Sequence, residues 1–492
     1  MQQNGNRKGT PMVIGNMRES VEVVVVGGGP GGYAAAFHAA DLGKEVALVE
    51  QEPRLGGTCL LRGCIPSKAM ITAAERFHQA KHSDFMGISV KDALLDMKKM
   101  GEWRDGIIKN LTGGLEQLCK ARNIRRYLGR GHFIGANELH VSTTGTPTTL
   151  QFQQAILALG SLPIMPGIFK RSERVMTSDE ALALYHLPKS VLVVGGGYIG
   201  IELGSCLAAL GTEVTVVEML DRILPTTEPE MVRVVRKALE ARGMKFHLES
   251  KVLEVQEGKN SVAVKVQPKE GAAWTKEYER VLVAIGRKPN TEDCGLERLG
   301  VTVDKGFIVV EEQSLRTNLP HVYAIGDCSG QPMLAHRARR QGIVAAEIVA
   351  GHKAAYDNRT VPAVIFSEPE IATCGLSEEE AKKAGYEVKV GKFRLATLGR
   401  AMTLGATEGL VMVIADAKTE VVLGVRMVGA HVSELIGEAT LAIETGMVLE
   451  DLIATIHVHP TLTESIQEAA EAVRGEAIHS VRISKGPKAG VK

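Results

Sequence analysis

Residues 21–26 form an apolar run of five valines broken only by Glu22, the pattern of a parallel strand buried on both faces. The run stops at Gly27-Gly28-Gly29-Pro30-Gly31-Gly32, a helix is expected over 33–42, and a second apolar strand is expected over 46–49, ending at Glu50. The same order returns later. A strand at 191–194 leads into Gly195-Gly196-Gly197-Tyr198-Ile199-Gly200, then a helix at 201–210 and a strand at 214–217 ending at Glu218. The span from Gly27 to Glu50 equals that from Gly195 to Glu218, 23 residues (50 − 27 and 218 − 195). Helices are expected over 68–81 and 93–122, and antiparallel strands over 130–141. Further strands are expected over 155–160, 281–285 and 322–327. From 361 onward, strands at 361–366, 386–393, 410–416 and 421–428 alternate with helices, one opened by a Ser377/Glu380 capping box.

Each glycine turn has a physical reading. The first glycine makes the tight turn, the third lets main chain approach a pyrophosphate, and the last lets helix and strand pack. Gly27, Gly29 and Gly32 take these places in one unit, and Gly195, Gly197 and Gly200 in the other. The helix N-terminus favours phosphate, and Glu50 and Glu218 stand where a carboxylate accepts from a ribose hydroxyl. Two such units in one chain imply two dinucleotides, and two brought together suggest hydride or electron transfer between a flavin and a nicotinamide. Glu218 favours NAD. One Arg beside an Asp (Asp221-Arg222) does not make the basic site that NADP needs.

The expected fold class is α/β. It has two Rossmann-like dinucleotide-binding domains, one inserted in the other, and a C-terminal α+β domain. Pro163 and Pro166 mark the way out of the first domain, and Gly286-Arg287-Lys288-Pro289 the way back. The boundaries are a flexible tail at 1–20, a discontinuous first domain at 21–160 and 286–360, an inserted domain at 161–285, and a last domain at 361–492.

Composition narrows the partners. The 492 residues carry 58 basic and 57 acidic side chains, a net charge of +1, so bulk electrostatics point to neither nucleic acid nor membrane. The Arg337, Arg339, Arg340 cluster reads as a solvated face. The uncharged stretch 23–40 is interrupted by its glycines and Pro30 and is not a membrane span. The first 20 residues lack the apolar core of a signal peptide. Seven cysteines are too few for a secreted disulfide scaffold. Cys119, Cys206, Cys294, Cys328 and Cys374 read as small apolar packers. A cytoplasmic or organellar-matrix location follows.

Cys59 and Cys64 are the only closely spaced pair, inside Gly56-Gly57-Thr58-Cys59-Leu60-Leu61-Arg62-Gly63-Cys64-Ile65-Pro66-Ser67-Lys68. In a regular helix, residues five apart lie beyond the Cα separation of about 7 Å that a disulfide spans. The two can bond only across an irregular backbone, which Gly63 permits. Buried thiols remain the alternative. Zinc is disfavoured by the missing second pair and nearby His, so no metal is expected. Near the C-terminus, His459-Pro460 with Glu464 can form an oriented imidazole–carboxylate pair, a competent base near neutral pH. His457 is expected to be a satisfied surface histidine. Asp327, after a strand and before a helix, either caps that helix or binds a sugar hydroxyl.

Together these motifs resemble the pyridine nucleotide–disulfide oxidoreductases with a redox-active cysteine pair, over about residues 21–475. The most specific pieces are the Gly56–Lys68 motif, Gly326-Asp327, Met333-Leu334-Ala335-His336 and His459-Pro460-Thr461-Leu462-Thr463-Glu464. The resemblance implies FAD on the first unit, NAD on the inserted one, and a homodimer built by the last domain. By position it implies that Cys59 exchanges with a dithiol substrate and that Cys64, bonded to Cys59 in the oxidised protein, lies against the flavin. It further implies that His459 and Glu464 are the acid–base dyad, supplied by the other subunit. Thr58, Ser161 and Gly286 fall at cofactor-binding positions. Lys68 and Glu202 match a charged pair beside the flavin, Asp327 a ribityl contact, and Met333, Leu334, Ala335 and His336 the flavin ring lining.

The nearest branch oxidises dihydrolipoyl groups with NAD, so the implied partners are lipoyl domains and the acyltransferase core of 2-oxo-acid dehydrogenase complexes. Two alternatives compete. One is an NADPH-dependent disulfide reductase of the glutathione-reductase type, to which Tyr198 in the second glycine loop is similar but against which Glu218 argues. The other is a flavoprotein retained as an assembly subunit. Leu61-Arg62 departs from the Asn-Val common between the cysteines, and Leu159 from a usual Thr.

Overall fold

The computed structural model describes residues 17–143 and 146–480. The expected tail falls mostly on residues 1–16, outside the described residues. Met17–Ser20, the rest of it, belong to the first strand, Met17–Val26, which pairs with Thr148–Leu157 along its length.

Two compact units divide the chain. One comprises residues 1–61, 107–162 and 288–356, the other 62–106, 163–287 and 357–492. In the first unit, five parallel strands run in the order Arg125–Leu128, Val46–Glu50, Met17–Val26, Thr148–Leu157, Val322–Ala324. Arg130–Gly135 and Glu138–Ser142 extend Thr148–Leu157 as antiparallel strands. Val23, Val24 and Val25 are fully buried, as strands covered on both faces require. One face is covered by helices Pro30–Asp41 and Ala335–Val349. They cross closely enough that a Cβ on Gly342 would stand 2.4 Å from the Gly31 carbonyl oxygen.

In the second unit, five parallel strands follow the order Lys245–His247, Glu213–Val217, Ser190–Val194, Arg280–Val283, Val175–Met176. A separate three-stranded antiparallel sheet, Ser250–Glu257, Val262–Pro268 and Trp274–Tyr278, was not expected from the sequence. The C-terminal part is an antiparallel sheet in the order Ala363–Ile365, Glu370–Gly375, Val422–Gly429, Leu410–Asp416, Val388–Arg394. Of these strands the sequence reading missed Glu370–Gly375. Helices Val432–Thr445 and Glu464–Arg474 pack on this sheet, and the Ser377/Glu380 capping box forms. No described helix is long and apolar enough to cross a membrane.

Candidate active site

The two glycine turns are alike in atomic detail. Gly27 and Gly195 have φ of 105° and 104°, and a Cβ on either would stand 2.2 or 2.6 Å from a carbonyl oxygen of the neighbouring strand's exit, Ala158 or Ala284. A Cβ on Gly32 would meet the Gly27 carbonyl oxygen at 1.8 Å, and one on Gly200 the Gly195 oxygen at 2.2 Å. These four positions exclude a side chain because the protein itself fills the space. Gly29 and Gly197 differ. Nothing lies nearer to a Cβ than Gly57 Cα at 3.8 Å in the first case, and nothing lies within 4 Å in the second. The open position, at the start of helices Pro30–Asp41 and Tyr198–Leu210, leaves room for a pyrophosphate to approach the main chain.

The acids close each turn in the same way. The Gly28 amide donates to Glu50 Oε2 at 2.7 Å and the Glu52 amide to Oε1 at 2.9 Å. The Gly196 amide donates to Glu218 Oε2 at 2.6 Å and the Leu220 amide to Oε1 at 2.8 Å. Both carboxylates are therefore fixed beside the turn. Arg222 is exposed and donates one hydrogen bond, to the Pro225 carbonyl 3.0 Å away. The residues present fit two dinucleotides, FAD on Gly27, Gly29, Gly32 and Glu50, and NAD on Gly195, Gly197, Gly200 and Glu218.

The cysteine motif is built onto the first turn. Gly56 donates its amide to the Gly28 carbonyl at 2.8 Å, and a Cβ on Gly57 would approach Gly29 Cα to 2.6 Å. This close packing is what Gly56-Gly57 before Thr58 and Cys59 is for. Helix Gly57–Arg62 then breaks at Gly63, whose φ of −143° and ψ of −113° leave helical space, and a new helix, Cys64–Lys81, begins. The irregular backbone expected between the cysteines is present. Cys59 is half-buried and Cys64 exposed. The other five cysteines are buried. Burial pushes the Cys206 thiol up to about 12 and those of Cys294, Cys328 and Cys374 to about 11, and it raises Cys119 as well. None of these five is poised as a nucleophile.

Arg62, unexplained by the sequence, has its Nε 3.7 Å from Asp179 Oδ2, on the short helix Ser178–Ala181. Burial holds the Asp179 carboxyl above its ordinary range, against the pull of Arg62 and Arg287.

Lys68 and Glu202 do pair. Lys68 Nζ donates to Glu202 Oε2 at 2.9 Å and stands 4.2 Å from the centre of the Phe366 ring. The Phe366 amide donates to Glu202 Oε1 at 2.9 Å, so both oxygens of this buried carboxylate are satisfied. Ser161 Oγ donates to Asp327 Oδ2 at 2.6 Å. Asp327 sits in the one-turn helix Gly326–Cys328, and the following helix, Ala335–Val349, has Leu334 at its N-cap and no side-chain cap, so the capping alternative does not hold there. Buried Gln341 accepts from the Gly326 amide at 2.8 Å and fixes that turn, a role no sequence motif signalled. Met333, Leu334 and Ala335 are half-buried and His336 exposed at the start of helix Ala335–Val349. Thr58 is half-buried in the cysteine helix, and Gly286 has φ of 135°.

His459 Nδ1 lies 2.8 Å from Glu464 Oε1, and Glu464 Oε2 accepts from the Thr461 amide at 2.7 Å. Burial works against the Glu464 charge, but the Thr461 amide and the His459 ring outweigh it and hold the carboxyl below its ordinary range. The His459 side chain is 79% exposed, beside exposed Ile456 and Val458. His457 is satisfied, as expected, but it is not a surface group: its side chain is 4% exposed. Among the described residues no group of three or more His, Cys, Asp and Glu could hold a metal ion.

Residues 21–342 match the pyridine nucleotide-disulphide oxidoreductase family and residues 361–470 its dimerisation domain. A dihydrolipoyl dehydrogenase from Halobacterium salinarum is 43% identical over 96% of this chain and 100% of its own length. One from Geobacillus stearothermophilus is 42% identical over the same shares. Among solved structures, a Cu(II) complex of the HOCl-induced flavoprotein disulfide reductase RclA from Escherichia coli superposes with a TM-score of 0.82 at 25% identity, covering 92% of this chain and 99% of that one. With both nucleotide turns, the cysteine motif and the His459–Glu464 pair inside these matches, the chain belongs to the pyridine nucleotide-disulphide oxidoreductase family.

Proposed function

We propose that the protein is a dihydrolipoyl dehydrogenase that oxidises protein-bound dihydrolipoyl groups to the lipoyl disulfide and reduces NAD to NADH, with Cys59 and Cys64 as its redox-active pair. The observation that carries this reading is the second turn, where Glu218 is fixed by the Gly196 and Leu220 amides at 2.6 and 2.8 Å and Asp221 stands beside Arg222. That arrangement suits a free ribose hydroxyl and so NAD.

The chain's own groups supply the thiol chemistry. A carboxylate only accepts, so His459 Nδ1 carries the hydrogen toward Glu464 and Nε2 is left to accept a proton. His459 takes the proton of one substrate thiol, and the thiolate attacks Cys59 Sγ, displacing Cys64 as a thiolate. The second substrate thiol then attacks the substrate sulfur of the mixed disulfide, and Cys59 leaves as a thiol that takes up the second proton, with Cys64 still a thiolate. The substrate loses two electrons and two protons, and the enzyme disulfide gains the two electrons. Bound FAD supplies the two-electron relay from the dithiol to NAD.

The exposed Ile456, Val458 and His459 are the face a second copy covers in a homodimer, bringing the dyad to the partner's cysteines. Lipoyl domains and the acyltransferase core of a 2-oxo-acid dehydrogenase complex are the macromolecular partners, in a reducing compartment such as the cytoplasm.

Anaerobic addition of dihydrolipoamide and NAD to the FAD-loaded protein tests the reading. NADH should form, with a long-wavelength thiolate–flavin absorbance band when NAD is withheld. Full FAD occupancy with neither signal defeats it, and turnover of a glutathione disulfide with NADPH would favour the alternative reductase. Cys59→Ser should abolish lipoyl turnover and leave the band from Cys64.

A further inference from the structure

His457 stands two residues before the proposed base. Its Nδ1 lies 2.9 Å from the Thr455 carbonyl oxygen and its Nε2 2.8 Å from Glu438 Oε1. Both partners are acceptors, whereas a neutral imidazole has one N–H. The ring therefore needs hydrogens on both nitrogens unless Glu438 carries one. Glu438 Oε2 accepts the Thr463 hydroxyl, a bond that favours the carboxylate form, and a carboxyl gives up its proton more readily than an imidazolium does. That leaves the second hydrogen on the ring, an imidazolium–carboxylate pair.

Thr463 adds an independent observation. It is the residue before helix Glu464–Arg474, where a threonine side chain ordinarily accepts a first-turn amide. Here it makes no such cap, and its hydroxyl is committed to Glu438 instead. From the middle of helix Val432–Thr445, Glu438 thus grips residues 457 and 463, on either side of His459 and Pro460.

We infer that Glu438 and His457 are positioning residues for the His459–Glu464 dyad: Glu438 fixes the loop at two points, and the His457 cation behind it sets the pH at which His459 accepts the substrate proton. This rests on the reading of His459 as the base. Most other charged groups on the elements packed here are engaged elsewhere; the exception is Glu471, whose Oε2 is buried without a partner and whose carboxyl is held above its ordinary range by burial and by Glu468 and Glu476. Glu450 pairs with Arg474, Asp451 accepts the Val448 amide, and Glu468 pairs with His479. Within the dyad, His457 is one of the groups that favour the charged form of Glu464, after the opposing cost of burial and the effects of Thr461 and His459.

The test uses the FAD-loaded full-length protein with His457→Gln and Glu438→Gln. His457→Gln removes the imidazolium and Glu438→Gln the carboxylate that favours it, so the ascending limb of kcat for dihydrolipoamide oxidation should move to higher pH in both. The shift should be about half a unit, larger for His457→Gln, which leaves Glu438 charged. NADH oxidation by ferricyanide, which bypasses thiol and base, should be unchanged. Lower kcat with an unmoved limb would mean a structural prop only and overturn the inference, as would no change in either variant. On the unmutated protein, 15N spectra of labelled histidine should show both His457 nitrogens protonated at pH 7, and a neutral ring overturns the ion pair whether or not the variants fold. If His459→Gln retains lipoyl oxidation, the dyad reading fails instead.

Discussion

The sheet that carries Gly27 and the sheet that carries Gly195 set five parallel strands in the same order, but they obtain the fifth from opposite directions along the chain. In the first it is Val322–Ala324, which arrives after the inserted segment. In the second it is Val175–Met176, which precedes the glycine turn. Their antiparallel additions differ too: Arg130–Gly135 and Glu138–Ser142 continue the first sheet, while Ser250–Tyr278 forms a sheet of its own beside the second. Across these differences the turn, the crossing glycine and the amide-held Glu stay the same. A dinucleotide cradle is therefore a local device of strand, turn, helix and next strand end. How the sheet is completed decides only where the chain enters and leaves.

The largest effects should come from the glycines whose space the protein fills. Gly32→Ala and Gly200→Ala each force a methyl onto a carbonyl oxygen, at a cost of about 3 kcal/mol or more. Gly32→Ala should purify without flavin absorbance. Gly200→Ala should keep it and raise KM for NAD more than about tenfold. Loss of flavin in both would break the idea of two independent cradles.

Glu50→Gln and Glu218→Gln come next. Each weakens a charged hydrogen bond worth about 1.5–3 kcal/mol, so FAD affinity should fall in the first and NAD affinity in the second, about tenfold or more. The loss should be greater at Glu50, which is 8% exposed, than at the less buried Glu218. Titration of the apoprotein with FAD and steady-state KM for NAD measure the two.

The smallest effect on stability should come from Gly197→Ala. Its φ of −71° suits alanine and its space is open, so the unfolding free energy should stay within about 0.5 kcal/mol of the original while NAD binding weakens. A large drop in melting temperature would show that this glycine serves packing after all.

The cradles were legible because repetition and spacing survive without a structure. The His459–Glu464 pair was legible because its partners are five residues apart. Strand Glu370–Gly375 was not, since it follows Glu368-Pro369 closely and its alternation is short. The sheet over 250–278 escaped because Ser250–Glu257 and Trp274–Tyr278 are mostly polar, with burial supplied by Val262, Val264 and Val266 between them. Arg62 and His457 have partners 117 and 19 positions away (179 − 62 and 457 − 438). A residue's charge partner at such distances leaves no local signature, so one read as an oddity and the other as a surface group.

Helix Cys64–Lys81 begins at one thiol of the proposed redox pair, and helix Tyr198–Leu210 begins at the second nucleotide turn. They pack together and are pinned near their starts by Lys68 and Glu202. The segment from Arg62 to Gly106 accordingly belongs to the same compact unit as the second cradle. For protein engineering this sets a cutting rule. A nicotinamide module lifted from this chain at residues 163–287 would leave behind the helix that seats against it and strand the Glu202 carboxylate without its lysine, so a portable module must carry 64–81 as well.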